Sequence, residues 1–221
     1  MKKTLILLAI LSSFGAIAQK HLIGIKGGAS WTNVHTSNFN FDTKSRTGYL
    51  VGMTYDYKLT DKFSIGAEVL YGQRGFNIVF VPFDDFGLPF SMDVEDTKSK
   101  YDYLSIPIKA SYSVGNKLFG FGSIGVIPAF LTKAVTVTPP ISFFGFTIDE
   151  TTTEITKDVS RFDLAAFAEM GIGYKFNDTY LLYLSFGYNH SFLTITNDDY
   201  FSESKIRNYG MPLMLGFKYA L

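Results

Sequence analysis

The sequence predicts an all-β chain: an eight-stranded antiparallel up-and-down transmembrane β-barrel, closed between its first strand and its last. Three observations carry this expectation. Apolar and polar side chains alternate with period two through most of the chain after residue 20. The connections alternate as well. Very short ones at 59–62, 115–117 and 177–179 follow in turn on long polar ones at about 33–46, 80–100, 134–158 and 193–206. Tight turns at one surface of a bilayer and loops at the other are the threading of an outer-membrane barrel. Finally, the chain holds 22 Phe and 14 Tyr but one Trp, and aromatic residues favour both strands and membrane interfaces.

The first strand covers about 20–32, with Ile23, Ile25, Ala29 and Trp31 on one face and Gly24, Lys26, Gly28 and Ser30 on the other. The second, 47–58, sets Tyr49, Val51, Met53, Tyr55 and Tyr57 against Gly48, Gly52, Thr54, Asp56 and Lys58. The third, 63–76, opposes Phe63, Ile65, Ala67, Val69 and Tyr71 to Ser64, Gly66, Glu68, Gly72 and Arg74. In the fourth, 102–114, Leu104, Ile106, Ile108, Ala110 and Tyr112 oppose Ser105, Lys109, Ser111 and Ser113. The fifth, 118–132, has the weakest pattern, with Gly and apolar residues on both faces. The sixth (160–176), seventh (180–192) and eighth (207–221) restore it, for example Leu182, Leu184, Phe186 and Tyr188 against Ser185, Gly187 and Asn189. Pro107, Pro128 and Pro212 each lack a ladder donor and are expected at bulges or rims.

The apolar face is assigned to lipid. The polar face is too rich in Gly and Ser, and too poor in charge, for the outside of a soluble barrel. The apolar face carries aromatics at both ends: Tyr55, Tyr57, Phe63, Tyr112, Tyr174, Phe176 and Tyr219 beside the short turns, and Trp31, Tyr49, Tyr71, Phe162, Tyr188 and Tyr209 at the loop ends. Two aromatic girdles around an aliphatic band suit a lipid-facing wall. Inside hydrocarbon an open edge would leave backbone groups unpaired at several kcal/mol each, so the eighth strand must return to the first. An even number of strands then puts both termini on the short-turn side, expected to be the periplasm.

Residues 1–18 read as a secretory signal peptide: Met1-Lys2-Lys3, an apolar run from Leu5 to Leu11, and Ala16-Ile17-Ala18 before the cut. Residues 19–221 form the barrel domain. Without Lys2 and Lys3, 18 Lys and Arg face 20 Asp and Glu, a net charge near −2. A near-neutral exported chain has no electrostatic case for binding nucleic acid. Cysteine is absent, so backbone pairing and packing alone close the fold.

The segment Tyr103-Leu104-Ser105-Ile106-Pro107-Ile108-Lys109-Ala110-Ser111-Tyr112 resembles a recurrent strand of the Bacteroidota outer-membrane β-barrel family that includes PorT-like proteins. Glu68 to Gly75, Arg161-Phe162-Asp163-Leu164 and Ile23 to Gly28 are similar to other strands of that family. The resemblance implies an eight-stranded barrel in the outer membrane of a Gram-negative bacterium, inserted by the barrel-assembly machinery and surrounded by lipid. It implies little about activity. The chain ends on Tyr219-Ala220-Leu221, where such barrels often finish on an aromatic residue.

So narrow a barrel is filled by its own side chains. Lys26, Glu68, Lys109 and Glu169 point inward at similar heights, and Glu68 and Lys109 lie on neighbouring strands within pairing reach. The expectation is an interior ionic layer of these four, with Arg74, Arg161 and Asp163 forming a second group nearer the loops. Buried charges persist only when paired and hydrogen-bonded, and a satisfied polar plug is the reading preferred over an ion path. His190 and Ser191 fall on opposite faces of a regular strand, which argues against a nucleophile–base pair. No metal or cofactor motif is present, and no enzyme is expected. Two long connections carry aromatics: Phe83, Phe86 and Phe90 in one, Phe143, Phe144 and Phe146 in the other. Exposed clusters of this kind either contact a protein partner or pack on one another above the membrane. The functional expectation is a structural or surface-interaction scaffold. An accessory component of a secretion or envelope-assembly complex is the alternative, with a lipid-modifying enzyme or narrow channel third.

Overall fold

The computed structural model describes residues 20–36, 42–79, 96–143, 146–196 and 205–221. Residues 1–18 and Phe83, Phe86, Phe90 and Phe144 lie outside them. The strands are β1 (His21–Thr36), β2 (Thr43–Lys58), β3 (Phe63–Ile78), β4 (Thr97–Ser105), β5 (Ile108–Gly115), β6 (Leu118–Thr138), β7 (Ile141–Phe143), β8 (Phe146–Ile148), β9 (Thr151–Glu154), β10 (Phe162–Lys175), β11 (Tyr180–Ser191) and β12 (Ile206–Ala220).

Hydrogen-bonded pairing runs from β1 through β2 and β3 to β4 and β5, on to β6, β10, β11 and β12, and back to β1. Every pairing is antiparallel. The expected single fourth strand is divided at Ile106-Pro107, yet both pieces keep one register: Leu70 faces Ser105 and Ala67 faces Ile108, while Ser105 faces Ala129 and Ile108 faces Val126. They are one physical strand with a gap in its ladder, and the ring has eight strands without an edge.

The prolines correct one expectation, because none of them shifts the register. Pro128 faces Leu164 and Pro212 faces Ser30 in regular order. Pro107 and Pro128 lack an N–H but keep their acceptors: Glu68 N–H donates to Pro107 O (2.9 Å) and Ile106 N–H to Pro128 O (2.8 Å). The register slips elsewhere, between Ser45 and Leu50 and between Asp102 and Tyr103. At the second slip Thr132 is the extra residue, and its hydroxyl donates to Asp102 O at 2.9 Å.

The strands outrun their expected loop ends. β6 continues to Thr138 with Val135 and Val137 in alternation, β4 begins at Thr97, and Thr-rich β9 pairs with β6. The connection expected at 134–158 is therefore largely sheet, since Val and Thr suit extended backbone better than a loop. Within it β7 and β8 pair antiparallel, with Phe143 in register with Phe146. At the other end the short turns hold. Gly115 takes φ +112, a conformation that only glycine adopts without strain, and closes the β5–β6 turn.

The outer wall is apolar and exposed, from Met170 at 69% to the aliphatic band of Ile25, Val51, Val69, Ile172 and Leu215. Rings meet along both rims: Phe63 with Tyr112 (4.7 Å between centroids) and Tyr180 with Tyr219 (5.4 Å) at the turns, Phe130 with Phe162 (5.4 Å) and Tyr49 with Tyr71 (6.3 Å) toward the loops. Beyond the loop-side rim the interior becomes a dry core in which Phe76, Tyr101, Ala134, Val159, Ile195 and Ile206 pack together. Val159 and Ile195 lie outside the named strands, ahead of β10 and after β11. Ser160 N–H donates to Ile195 O and Ile195 N–H to Ile206 O, at 2.9 and 2.8 Å.

Candidate functional site

The chemistry of the chain is concentrated inside the barrel, where alternate residues of every strand converge. Glu68 on β3 is the hub. Its Oε1 accepts from Lys109 Nζ at 2.5 Å and its Oε2 lies 2.7 Å from Lys26 Nζ. Lys26 also approaches Glu169 Oε1 at 3.6 Å, and Glu169 accepts a 2.7 Å hydrogen bond from the Ser185 hydroxyl. Both oxygens of Glu68 are thus bound by cations in a site where its carboxylate is nearly inaccessible, 2% exposed. Direct cation–carboxylate hydrogen bonds are what allow such charges to stay out of water.

The layer is larger than the four residues named from the sequence. Lys109 Nζ lies 3.7 Å from Asp56 Oδ1, and Lys218 Nζ lies 2.6 Å from Asp56 Oδ2. Lys26, Lys109 and Lys218 therefore balance Asp56, Glu68 and Glu169. Lys218 and Asp56 stand on strands that are not neighbours, with β1 between them, and they meet because Gly24, having no side chain, leaves the space between them open. Gly24 is in register with both Lys218 and Thr54, and a methyl group there would collide with the Lys218 side chain and the backbone of β12. A glycine on the polar face between an acid and a base on the flanking strands was the available signal.

Nearer the loops, Arg74 Nη1 donates to Asp163 Oδ2 at 2.7 Å, and the Ser191 hydroxyl donates to the same oxygen at 2.7 Å. The guanidinium lies over the Tyr103 ring, 4.9 Å from its centroid, a geometry that favours a cation. Arg161, expected in this group, is exposed instead. It precedes β10, outside the ring, and its carbonyl accepts from Leu131 N–H at 2.9 Å. Between the two charged groups remains a cavity of about 50 Å³, lined by Leu50, Leu70, Ile127 and Met214 among others.

The inner face also explains the glycines on β10 and β12. A methyl group on Gly171 or Gly173 would strike the rings of Phe121 or Phe119, and one on Gly216 the ring of Tyr183. Large aromatic side chains of β6 and β11 lie flat across the bare backbone of their neighbours. This is why the fifth predicted strand lacked a clean pattern: it carries aromatic residues inward.

His190 and Ser191 separate as the alternation requires. Ser191 is buried on Asp163, whereas His190 Nδ1 lies 3.4 Å from the Tyr188 hydroxyl on the outer rim. Among the described residues no cluster of three His, Cys, Asp or Glu side chains is placed to hold a metal ion. Phe143 and Phe146 fall on the β7–β8 hairpin at the loop end.

A family model described as outer membrane protein beta-barrel domain matches residues 17–220. No curated protein matches the chain in sequence. Among solved structures, the outer membrane protein OprG from Pseudomonas aeruginosa is similar in fold, with 15% identity, a TM-score of 0.52, and coverage of 91% of this chain and 96% of its own. Neisserial surface protein A follows at 12% identity and a TM-score of 0.47, covering 90% of this chain and 97% of its own. Since the match extends over nearly its whole length and the closed ring has the expected apolar exterior, the chain belongs to the outer membrane protein beta-barrel domain family and is an integral β-barrel of the outer membrane.

Proposed function

We propose that this barrel is a non-enzymatic scaffold, blocked along its axis, that holds its long connections at the cell surface. The carrying observation is that two different seals stand in series in the lumen: the Lys26–Glu68–Lys109 layer, and the apolar core of Phe76, Tyr101 and Val159 beyond it. Ions crossing the first would have to displace cation–carboxylate hydrogen bonds, and crossing the second would strip them of water. The short turns and both chain ends lie together, with Leu221 N–H donating to His21 O at 2.9 Å, and in this reading they face the periplasm. The β6–β9 extension and the β7–β8 hairpin then stand outside, and a protein partner would meet the barrel there. Separation of His190 from Ser191 supports the absence of hydrolytic chemistry. Planar-bilayer recording of the purified protein is expected to give no steady open conductance, and a porin-like open level would overturn the scaffold reading.

A second reading rests on the segment from Tyr103 to Tyr112, which resembles PorT-like barrels of the Bacteroidota and would make the protein an accessory part of a secretion or envelope-assembly complex. In the fold this segment is wall and core: Tyr103 is buried against Arg74, and Leu104, Ile108 and Tyr112 are exposed outward. Deletion followed by comparison of surface and secreted proteomes separates the two. The scaffold predicts a narrow change, whereas broad loss of exported proteins would favour the accessory role.

A further inference from the structure

The short-turn end of the barrel encloses a cavity of about 350 Å³ that the ionic layer does not fill. Lys58, Lys109, Lys175 and Lys218 line it, and they stand on β2, β5, β10 and β12, every second strand of the ring. Lys109 and Lys218, at its floor, are compensated by Glu68 and Asp56. Lys58 and Lys175, the last residues of β2 and β10, are half-buried and form no ion pair among the described residues. Three strands lie between them on either side of a ring of eight, so they face one another from opposite walls. Lysine side chains of that length reach the axis of so narrow a barrel. Of the carboxylates lining the cavity, Asp56 is bound by Lys218, and Asp61 lies on the exposed turn.

Most of the rest of the lining is aromatic or hydroxyl-bearing. Phe119 and Phe121 form one side, and Lys175 Nζ lies 5.3 Å from the Phe119 ring centroid. Tyr183, only 3% exposed, also lines the cavity, and its hydroxyl has no hydrogen-bond partner among the described residues. A buried hydroxyl left unpaired costs stability unless a ligand or water completes it. The cavity has the size of a small-molecule site, with an aromatic side and convergent cationic and hydroxyl groups on the rest of its wall.

The geometry points to a binding site for a small organic anion, a phosphate ester or a carboxylate with an aromatic or apolar body. The charge sits between Lys58 and Lys175, and the body lies against Phe119 and Phe121. This site is independent of whether the lumen conducts and of which membrane face the turns occupy.

The test is an amide chemical-shift titration of the protein in zwitterionic lipid nanodiscs. Phenyl phosphate and benzoate are the probes, with inorganic phosphate and benzyl alcohol as the separate halves. Saturable shifts at Phe119, Tyr183, Lys58 and Lys175 are expected with at least one aromatic anion, at lower concentration than with either half. The order of phenyl phosphate and benzoate tells the phosphate ester from the carboxylate. The double variant Lys58→Met, Lys175→Met is expected to weaken binding at least about tenfold while keeping the gel migration of a folded barrel. Should that variant not fold, Lys175→Glu alone is to weaken the same titration. No saturation by either aromatic anion, equal binding of benzyl alcohol, or affinity unchanged in the folded variant would each overturn the site.

Discussion

Replacing Glu68 with alanine is expected to destabilise the folded barrel by about 3–5 kcal/mol, the range seen when one member of a buried ion pair is removed. Glu68 is the carboxylate closest to both Lys26 and Lys109, at 2.7 and 2.5 Å. Without it Lys26 keeps only Glu169 at 3.6 Å, and Lys109 keeps Asp56 at 3.7 Å and Glu169 at 4.0 Å. Lys109 is itself 4% exposed, so water cannot compensate the loss. Removing Lys109 as well, as Glu68→Met with Lys109→Met, should cost less than Glu68→Ala, because the two cations that remain, Lys26 and Lys218, still face two carboxylates, Glu169 and Asp56. Urea titration in detergent micelles, followed by the fluorescence of Trp31 and by heat-modifiable gel migration, measures both. A loss under about 0.5 kcal/mol for Glu68→Ala, the usual effect of a surface substitution, would mean that the layer is hydrated and does not act as a plug.

The second large effect concerns the wall. Leu184→Arg is expected to cost about 2–4 kcal/mol in lipid, while Val114→Arg at the short-turn rim costs about 0–1 kcal/mol, the depth dependence of arginine on a bilayer-facing strand. Leu184 lies midway between Tyr180 and Tyr188 on β11 and is 45% exposed on the outer face, in register with Ile172 and Leu215. Val114 is exposed one residue before the Gly115 turn. Equilibrium unfolding in lipid vesicles gives both numbers. In a water-facing wall an exposed arginine would be almost neutral at either depth, so equal small effects would contradict the lipid assignment.

Much of the architecture was legible because a strand writes its two faces into alternate residues. Leu182, Leu184, Phe186 and Tyr188 against Ser185 and Gly187 admit one orientation once the apolar face is given to lipid. Asn116 and Thr179 mark turns by their place between such runs. What stayed hidden was the exchange of volume between strands. Phe119 and Phe121 look misplaced on β6 until Gly171 and Gly173 of the next strand are seen beneath them. Val159 and Ile195 gave no sign of belonging to a core, since they reach it from connections with no periodicity.

The same division holds for the charged interior. Facing direction and approximate height follow from residue number alone, which is why Lys26, Glu68, Lys109 and Glu169 could be named as one inward-facing group. The partners of each depend on distances across a closed ring, which strand count and register together set. Asp56 reaches Lys218 across β1 because closure brings the second strand near the last and Gly24 leaves the space open. Arg161 stays outside because β10 begins one residue after it. Period-two alternation is a local property that one chain segment carries by itself. Contact between segments nearly two hundred residues apart exists only after the barrel has closed.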